Sequence, residues 1–392
     1  MVKKKIIVGI DIRNIGKKRT GDEVVFLNLV KNFSKLKDKN FNYVLFTDIR
    51  DKNKLAKIKR QLNIEKNNQF KLVSLSVSLK MSKFIWNLWT LPRYLRKNPV
   101  DIYHTQYIVP LFLPKKIKLV THIHDVSFKV YKQFIKWSDL FFLNILIPYS
   151  IRKSTKIIVV SQFTKQEIER YYPQAQEKIE VIYNAVNNME EWNIEQVSFQ
   201  KIKEKYQLPK KYILYLGTLQ PRKNVETLIK GFLSFKKINN KEDISLVIAG
   251  KIKAHNFDRK LIPYLNKTQE KIYFIGFVDE KDKTNLIKKA CLLVSPSLYE
   301  GFGLPVLEAL NLGVPVLASN IKPHKEVGGE AIKYFSPLSV ASLRKKIYNI
   351  CVVSKTEYDS FLSKAKKQLN KFSWKKSAQK MLKIYKELYL DG

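Results

Sequence analysis

Short apolar, β-branched runs recur along this chain, each followed by a longer stretch with helical periodicity. A first series occupies residues 5–12, 43–47, 70–75, 101–105, 118–126, 157–161 and 179–182. A second occupies residues 211–216, 246–250, 272–278, 292–295, 314–319 and 331–335. Runs that are apolar at successive positions suit strands covered on both faces, and their alternation with helical patterns predicts βαβ units and parallel sheets. The predicted fold class is therefore α/β twice over, two Rossmann-like domains. Between the series, residues 187–207 are polar, rich in Glu and Asn and free of a period-2 pattern, which predicts a linker and hinge. The expected domains are 1–190 and 191–370, with 371–392 as a closing segment. Ligands of open parallel sheets bind beyond the carboxyl ends of the strands, so two such domains with those edges facing each other would enclose a cleft.

Composition narrows this picture. At 392 residues and 45% hydrophobic, the chain can build two ordinary cores. No run approaches the roughly 18 apolar residues that span a bilayer, and residues 1–9 pass from three lysines straight into a strand-like run without a cleavage site. The expected location is the cytoplasm. Of two cysteines, Cys291 lies in Cys291-Leu292-Leu293-Val294 and reads as a buried free thiol, neither disulfide nor metal ligand.

The formal net charge is +39, about +17 of it within the first hundred residues. Such a field attracts nucleic acid, anionic lipid and phosphorylated small molecules alike, because it reads sign and not chemistry. A plain alternative is a proteome rich in lysine, asparagine and isoleucine. Nucleic-acid binding would need a groove-entering helix, a stacking platform or zinc ligands, and none of those patterns occurs. Nucleic acid is therefore not among the expected partners.

The most informative stretch is Ser295-Pro296-Ser297-Leu298-Tyr299-Glu300-Gly301-Phe302-Gly303-Leu304-Pro305-Val306-Leu307-Glu308-Ala309. A strand ends, a glycine loop follows and a helix opens at about Pro305, where a missing N–H costs nothing. Gly301 and Gly303 allow close backbone approach, and the helix start suits phosphate. Glu300 and Glu308 could accept hydrogen bonds from sugar or ribose hydroxyls, although Glu308 alone equally reads as an ordinary acidic residue near a helix start. A second block, Tyr215-Leu216-Gly217-Thr218-Leu219-Gln220-Pro221-Arg222-Lys223-Asn224, ends a strand in a turn and places two cations at an expected helix start, where the helix dipole disfavours them. A third, Thr121-His122-Ile123-His124-Asp125, ends a strand in the first half.

The run from Glu300 to Glu308, continued through Gly313-Val314-Pro315 and Glu326-Val327-Gly328-Gly329, resembles the donor-binding block of glycosyltransferase family 4, the retaining GT-B enzymes marked by Glu followed after seven residues by a second Glu. Smaller matches extend the resemblance over about nine tenths of the chain, among them Leu91-Pro92-Arg93, Val181-Ile182-Tyr183-Asn184 and Phe372-Ser373-Trp374. The resemblance implies a GT-B fold with two facing Rossmann-like domains and a last helix crossing back to the N-terminal domain. It implies catalytic roles for His124, Lys223 and Glu300. It further implies donor contacts from Gly21, Thr218, Arg222, Lys223, Gly250, Val278, Glu300, Gly301, Phe302, Gly303, Leu304 and Glu308, and no metal or cofactor, the donor being a UDP- or GDP-linked sugar. Lys223 would face the donor diphosphate, taking the place of a metal ion as charge builds on the leaving group.

Two positions depart from the family pattern. Thr218 stands where many relatives carry arginine, and the first loop has only Gly16 and Gly21 among Lys17, Lys18 and Arg19. His124 keeps a structural alternative, a histidine bonded to a neighbouring loop.

The expected activity is transfer of a hexose, mannose or glucose, to a glycan or lipid-linked acceptor in surface polysaccharide synthesis; the alternative is a catalytically silent interaction subunit of a polysaccharide assembly complex. Residues 81–89, Met-Ser-Lys-Phe-Ile-Trp-Asn-Leu-Trp, followed by Arg93, Arg96 and Lys97, mix aromatics with cations on an expected helix. They read either as an interfacial helix that docks on the anionic inner face of the membrane or, for Trp86 and Trp89, as core contacts.

Overall fold

A computed structural model describes residues 4–17, 21–75, 85–187, 199–238, 243–252, 254, 256–351 and 355–391. Two wholly parallel sheets organise the chain. The first has the strand order β3-β2-β1-β4-β5-β6-β7, from β1 (Ile6–Asp11), β2 (Phe41–Thr47), β3 (Phe70–Ser74), β4 (Ile102–Gln106), β5 (Lys118–Ile123), β6 (Lys156–Val159) and β7 (Ile179–Val181). The second has the order β10-β9-β8-β11-β12-β13, from β8 (Tyr212–Leu216), β9 (Ser245–Ala249), β10 (Ile272–Gly276), β11 (Leu292–Ser295), β12 (Val316–Ser319) and β13 (Lys333–Phe335). All thirteen strands fall on the apolar runs of the sequence. Strand order reverses between β1 and β4 in the first sheet and between β8 and β11 in the second, and a reversal opens a crevice at the carboxyl ends of the two strands.

The chain divides into two units. One comprises Met1–Val126, Phe141–Asn184 and Trp374–Gly392, the other Ser127–Leu140 and Ala185–Ser373. In the second unit, Ile213, Leu246, Ile248, Leu292 and Val294 of the sheet meet Leu228, Phe232 and Phe235 of the helix Val225–Ile238 and Leu343 and Ile347 of the helix Val340–Cys351. These side chains are essentially dry, each stabilising by about 1.5–3 kcal/mol. In the first unit, Phe33, Tyr43 and Phe70 stack in series, with ring centroids 5.5 and 4.5 Å apart.

The last helix, Trp374–Leu390, buries Ala378, Met381, Leu382, Tyr385 and Leu388, the i, i+3, i+4 stripe that a core-facing helix requires. It lies against the helix Gly21–Leu36 and β4. Ser377 donates to the Tyr183 carbonyl at 2.7 Å, and Lys386 Nζ lies 2.8 Å from Asp38.

The linker reading of 187–207 needs correcting over part of its length. A helix spans Phe199–Lys205, because Ile202 finds a buried position that a free linker would not supply; residues 188–198 lie outside the described part. Cys291 is half-buried at the margin of the second core, less enclosed than its apolar run suggested. Among the described residues no helix is long and apolar enough to cross a membrane, and no group of three or more His, Cys, Asp or Glu is placed to hold a metal ion.

Candidate functional site

The strand-order reversal in the second sheet brings the two glycine-containing blocks together. After β8 the chain makes a single 3-10 turn, Pro221–Lys223, and stops at Asn224, whose φ of 56° ends the turn. Asn224 holds the neighbouring loop, donating to the carbonyls of Pro296 at 3.1 Å and Pro337 at 2.8 Å. Leu298 N–H returns a bond to the Arg222 carbonyl at 2.8 Å. Arg222 and Lys223 thus lie ahead of the long helix Val225–Ile238 and not in its first turn, which corrects the expected conflict with the helix dipole.

This bracing places Lys223 Nζ 2.5 Å from Glu300 Oε1, which also accepts from Ser297 Oγ at 2.7 Å. Arg222 donates to the Tyr299 carbonyl at 3.1 Å, its guanidinium 3.9 Å from Glu300 Oε2. Both members of the central pair are 14% exposed. Burial alone would raise the Glu300 pKa, but Lys223, Arg222 and then His324 overcome it and hold the carboxyl at about 2. His324, which the sequence analysis missed, is wholly buried between Ser295 Oγ, 3.1 Å from Nε2, and Ser319 Oγ, 3.0 Å from Nδ1. Ser319 in turn donates to the Ser297 carbonyl at 2.5 Å, so β11, β12 and the glutamate loop share one hydrogen-bonded support.

Gly301 and Phe302 are buried, and Phe302 meets Phe372 edge-on at 5.5 Å. Gly303 has φ 104°, a backbone conformation that side chains rarely tolerate, and it caps the helix Leu304–Asn311, which opens one residue before the expected Pro305. Glu308 sits one turn into that helix, buried and 2.7 Å from Lys283 Nζ. Burial raises its pKa against the pull of Lys283, while Glu280 adds to the rise. Lys283, on the helix Glu280–Lys288, is the second functional candidate the sequence did not reveal. Only burial separates it from Lys281, Lys288 and Lys289 around it.

The other expected donor residues line the same strand ends. Thr218 has a buried hydroxyl oxygen without a hydrogen-bond partner, and its carbonyl accepts from Tyr215 OH at 2.7 Å. Gly250 N–H donates to the Gly276 carbonyl at 2.8 Å, and a Cβ on Gly250 would lie 2.3 Å from the Gly217 carbonyl oxygen, so a larger residue cannot close β8 against β9. Val278 is buried next to the exposed Phe277.

The remaining candidates lie in the first unit. Gly21 opens the helix Gly21–Leu36, while Lys18, Arg19 and Thr20 lie outside the described residues. His124 follows directly on β5 as the last of a stack, its ring centroid 4.8 Å from His122, which lies 5.8 Å from His104. Burial lowers the pKa of all three, to about 3 for His104. Nε2 of His124 is buried with no hydrogen-bond partner, whereas the His124 carbonyl accepts from Thr164 at 3.3 Å. His104 Nδ1 lies 2.6 Å from Tyr385 OH.

At the first sheet's reversal, Arg13 forms an ion pair with Asp11 at 2.6 Å and covers Trp86 at 4.5 Å. Trp86 is a core residue, which decides its two readings, while Trp89 is 67% exposed; Met81 to Phe84 lie outside the described residues.

Comparison with known proteins finds glycosyltransferase relatives for both halves of the chain. Residues 198–351 match the family described as glycosyl transferases group 1, and residues 20–188 match glycosyltransferase family 4. Over 243 residues the chain is 32% identical to the serotype-specific mannosyltransferase WbdA of Escherichia coli, covering 61% of this chain and 29% of that one. The chain thus spans less than a third of that relative's length. It is 27% identical over 286 residues to the O-antigen chain mannosyltransferase B of Escherichia coli, covering 71% and 72% of the two chains. A solved glycosyltransferase from Rickettsia africae ESF-5 superposes with a TM-score of 0.71 at 21% identity, over 98% of this chain and 99% of that one, which is a likeness of fold. The α/β fold class expected of the sequence, with two Rossmann-like domains of the GT-B kind, is the fold observed.

Proposed function

We propose that this chain, which belongs to the group 1 and family 4 glycosyltransferases, moves a hexose, mannose foremost, from a UDP- or GDP-linked donor to a glycan or lipid-linked oligosaccharide in surface polysaccharide synthesis. The observation that carries the reading is the Lys223–Glu300 pair, braced at the strand-order reversal of the second sheet where a parallel sheet binds its ligand. Mannosyl transfer is favoured by the two relatives whose names state it.

In this reading the donor diphosphate lies against Lys223 and Arg222, with the helix start at Leu304 beside it. The bond between the sugar C1 and the diphosphate oxygen breaks, and these cations offset the charge that gathers on the departing phosphate. The acceptor hydroxyl bonds to C1 on the face the phosphate leaves, so the anomeric configuration is retained. Its proton passes to a phosphate oxygen, and no protein base or metal is required. Glu300, held ionised, accepts hydrogen bonds from the sugar, and Glu308 accepts them from the ribose diol. His124 assists at the donor sugar through its unpartnered ring nitrogen.

The test is donor hydrolysis and thermal stabilisation with UDP-, GDP- and ADP-sugars in the absence of metal, on wild type and Glu308→Ala. One nucleotide sugar is expected to raise the melting temperature and to hydrolyse slowly in wild type alone. If none is recognised at any salt, the silent interaction subunit becomes the better reading.

A further inference from the structure

The helix Glu280–Lys288 carries Lys281, Lys283 and Lys288, with Lys289 just past its end, and of these four Lys283 alone is buried. Enclosing an ammonium is costly, and an apolar side chain of similar size would fill such a place without that cost, so packing does not account for a lysine there. The helix that carries it is held from a second side. Successive helical side chains project about 100° apart, and Asp282 meets a different neighbour from Lys283. Lys205 Nζ lies 2.6 Å from Asp282, and Tyr206 OH donates to the same carboxylate at 2.8 Å. Tyr206 OH also accepts from the Asp279 N–H at the helix start, at 3.2 Å. The helix is thereby clamped, with Lys283 facing Glu308 on the helix Leu304–Asn311.

An ammonium has three donors. Nζ of Lys283 lies 2.7 Å from Glu308 Oε1 and 2.6 Å from Glu280 Oε1, which leaves one N–H over. Among the described residues Glu308 Oε2 accepts no hydrogen bond. Glu280 reaches the ammonium from solvent, 69% exposed, while Lys283 and Glu308 keep 11% and 8%. A spare N–H beside a spare carboxylate oxygen complements a vicinal diol in which one hydroxyl donates and its neighbour accepts; a lone carboxylate would take both hydroxyls as donors. We propose that Lys283 is a specificity-determining residue for the donor nucleotide, its ammonium donating to one ribose hydroxyl while Glu308 Oε2 accepts from the other. The ion pair then reads the intact cis-diol of a nucleoside diphosphate. This rests on the reading of Glu308 as the ribose contact, to which it adds a second group and a direction for each hydrogen bond. Loss of either hydroxyl leaves a largely buried charged group short of a partner, and sites of that kind reject the analogue that lacks the hydroxyl.

The experiment is calorimetric titration of the full-length protein at pH 8 with UDP and GDP, and with the 2′-deoxy and 3′-deoxy forms of whichever binds. Wild type is compared with Lys283→Met and with Lys288→Met, which removes the same charge from an exposed position of the same helix. Wild type and Lys288→Met are expected to bind each deoxy form roughly tenfold or more weakly than the ribonucleotide. In Lys283→Met the ribonucleotide should weaken about tenfold, and the penalty for the hydroxyl that Lys283 contacts should shrink below about threefold, the non-additivity that marks a direct contact. A crystal structure of wild type with the bound ribonucleotide needs no variant and is expected to place Lys283 Nζ within about 3.2 Å of a ribose oxygen. Full-sized penalties for both hydroxyls in Lys283→Met, no penalty in wild type, or a ribose bound with Lys283 out of reach would each overturn the proposal while the donor site stands. If neither UDP nor GDP binds wild type, the donor reading falls and the proposal falls with it.

Discussion

Lys223 and Glu300 form a close, largely buried ion pair, so replacing either member removes a charge partner from the other. Lys223→Met leaves a largely buried carboxylate with Ser297 Oγ still donating at 2.7 Å but its nearest cation, Arg222, at 3.9 Å, an expected loss on the order of 3 kcal/mol, measurable by urea unfolding at pH 7. Because the folded pKa of Glu300 lies at about 2, below its unfolded value, the pair's stabilisation is fully present above the unfolded pKa near 4.3 and is lost as pH falls through 2. The difference between wild type and Lys223→Met should therefore shrink in acid.

Glu308 behaves in the opposite sense. Burial raises its pKa and Lys283 holds it down, so Lys283→Met raises it further. On the proposed role of Glu308 as an acceptor from the ribose diol, donor binding should then fail at a higher pH in Lys283→Met than in wild type, while Glu308→Gln binds weakly at every pH; titrating donor affinity against pH separates these outcomes. The glutamates and Lys223 were legible because their spacing and neighbouring glycines form local patterns. Lys283 and His324 were not, because their placement depends on burial and on Glu308, 25 residues away, for Lys283 and on two different strands for His324.

At the level of elements, the strands were legible for a physical reason: a parallel strand covered on both faces is apolar at successive positions and stands out from its flanks. The break at Asn224 was harder to see, since it depends on side-chain bonds to Pro296 and Pro337, the latter 113 residues away. The last helix carries a consequence of its own. Tyr385→Phe removes the one bond to His104 Nδ1 and should cost roughly 1–3 kcal/mol, read as a lower unfolding midpoint.

The stacked His104, His122 and His124 are all held neutral by burial. An unfolded chain takes up these protons below about pH 6.5 while the folded one resists. Stability should therefore be intact above pH 6.5 and decline steadily towards the His104 value of about 3. His122→Phe, which keeps the ring volume near Phe26, should flatten a plot of melting temperature against pH over that window.

For the whole molecule, a net charge of +39 implies self-repulsion in the folded state. The melting temperature should rise between 0.01 M and 1 M sodium chloride, as the screening length falls from about 30 Å to about 3 Å. A fall would mean that ion pairs such as Lys205–Asp282 outweigh the excess of positive charge. The assignment of Trp374–Gly392 to the first unit bears on events at the ribosome. Domains emerging in order usually fold in order, but here the first unit lacks its closing helix until residues 185–373 of the second unit have been read. At 5–20 residues per second, the stretch after Asn184 takes roughly 10–40 s to synthesise. Through that interval the surfaces of Phe33, Phe41 and His104 that Tyr385 will cover wait for their lid, and the unit encoded second is the one that can finish first.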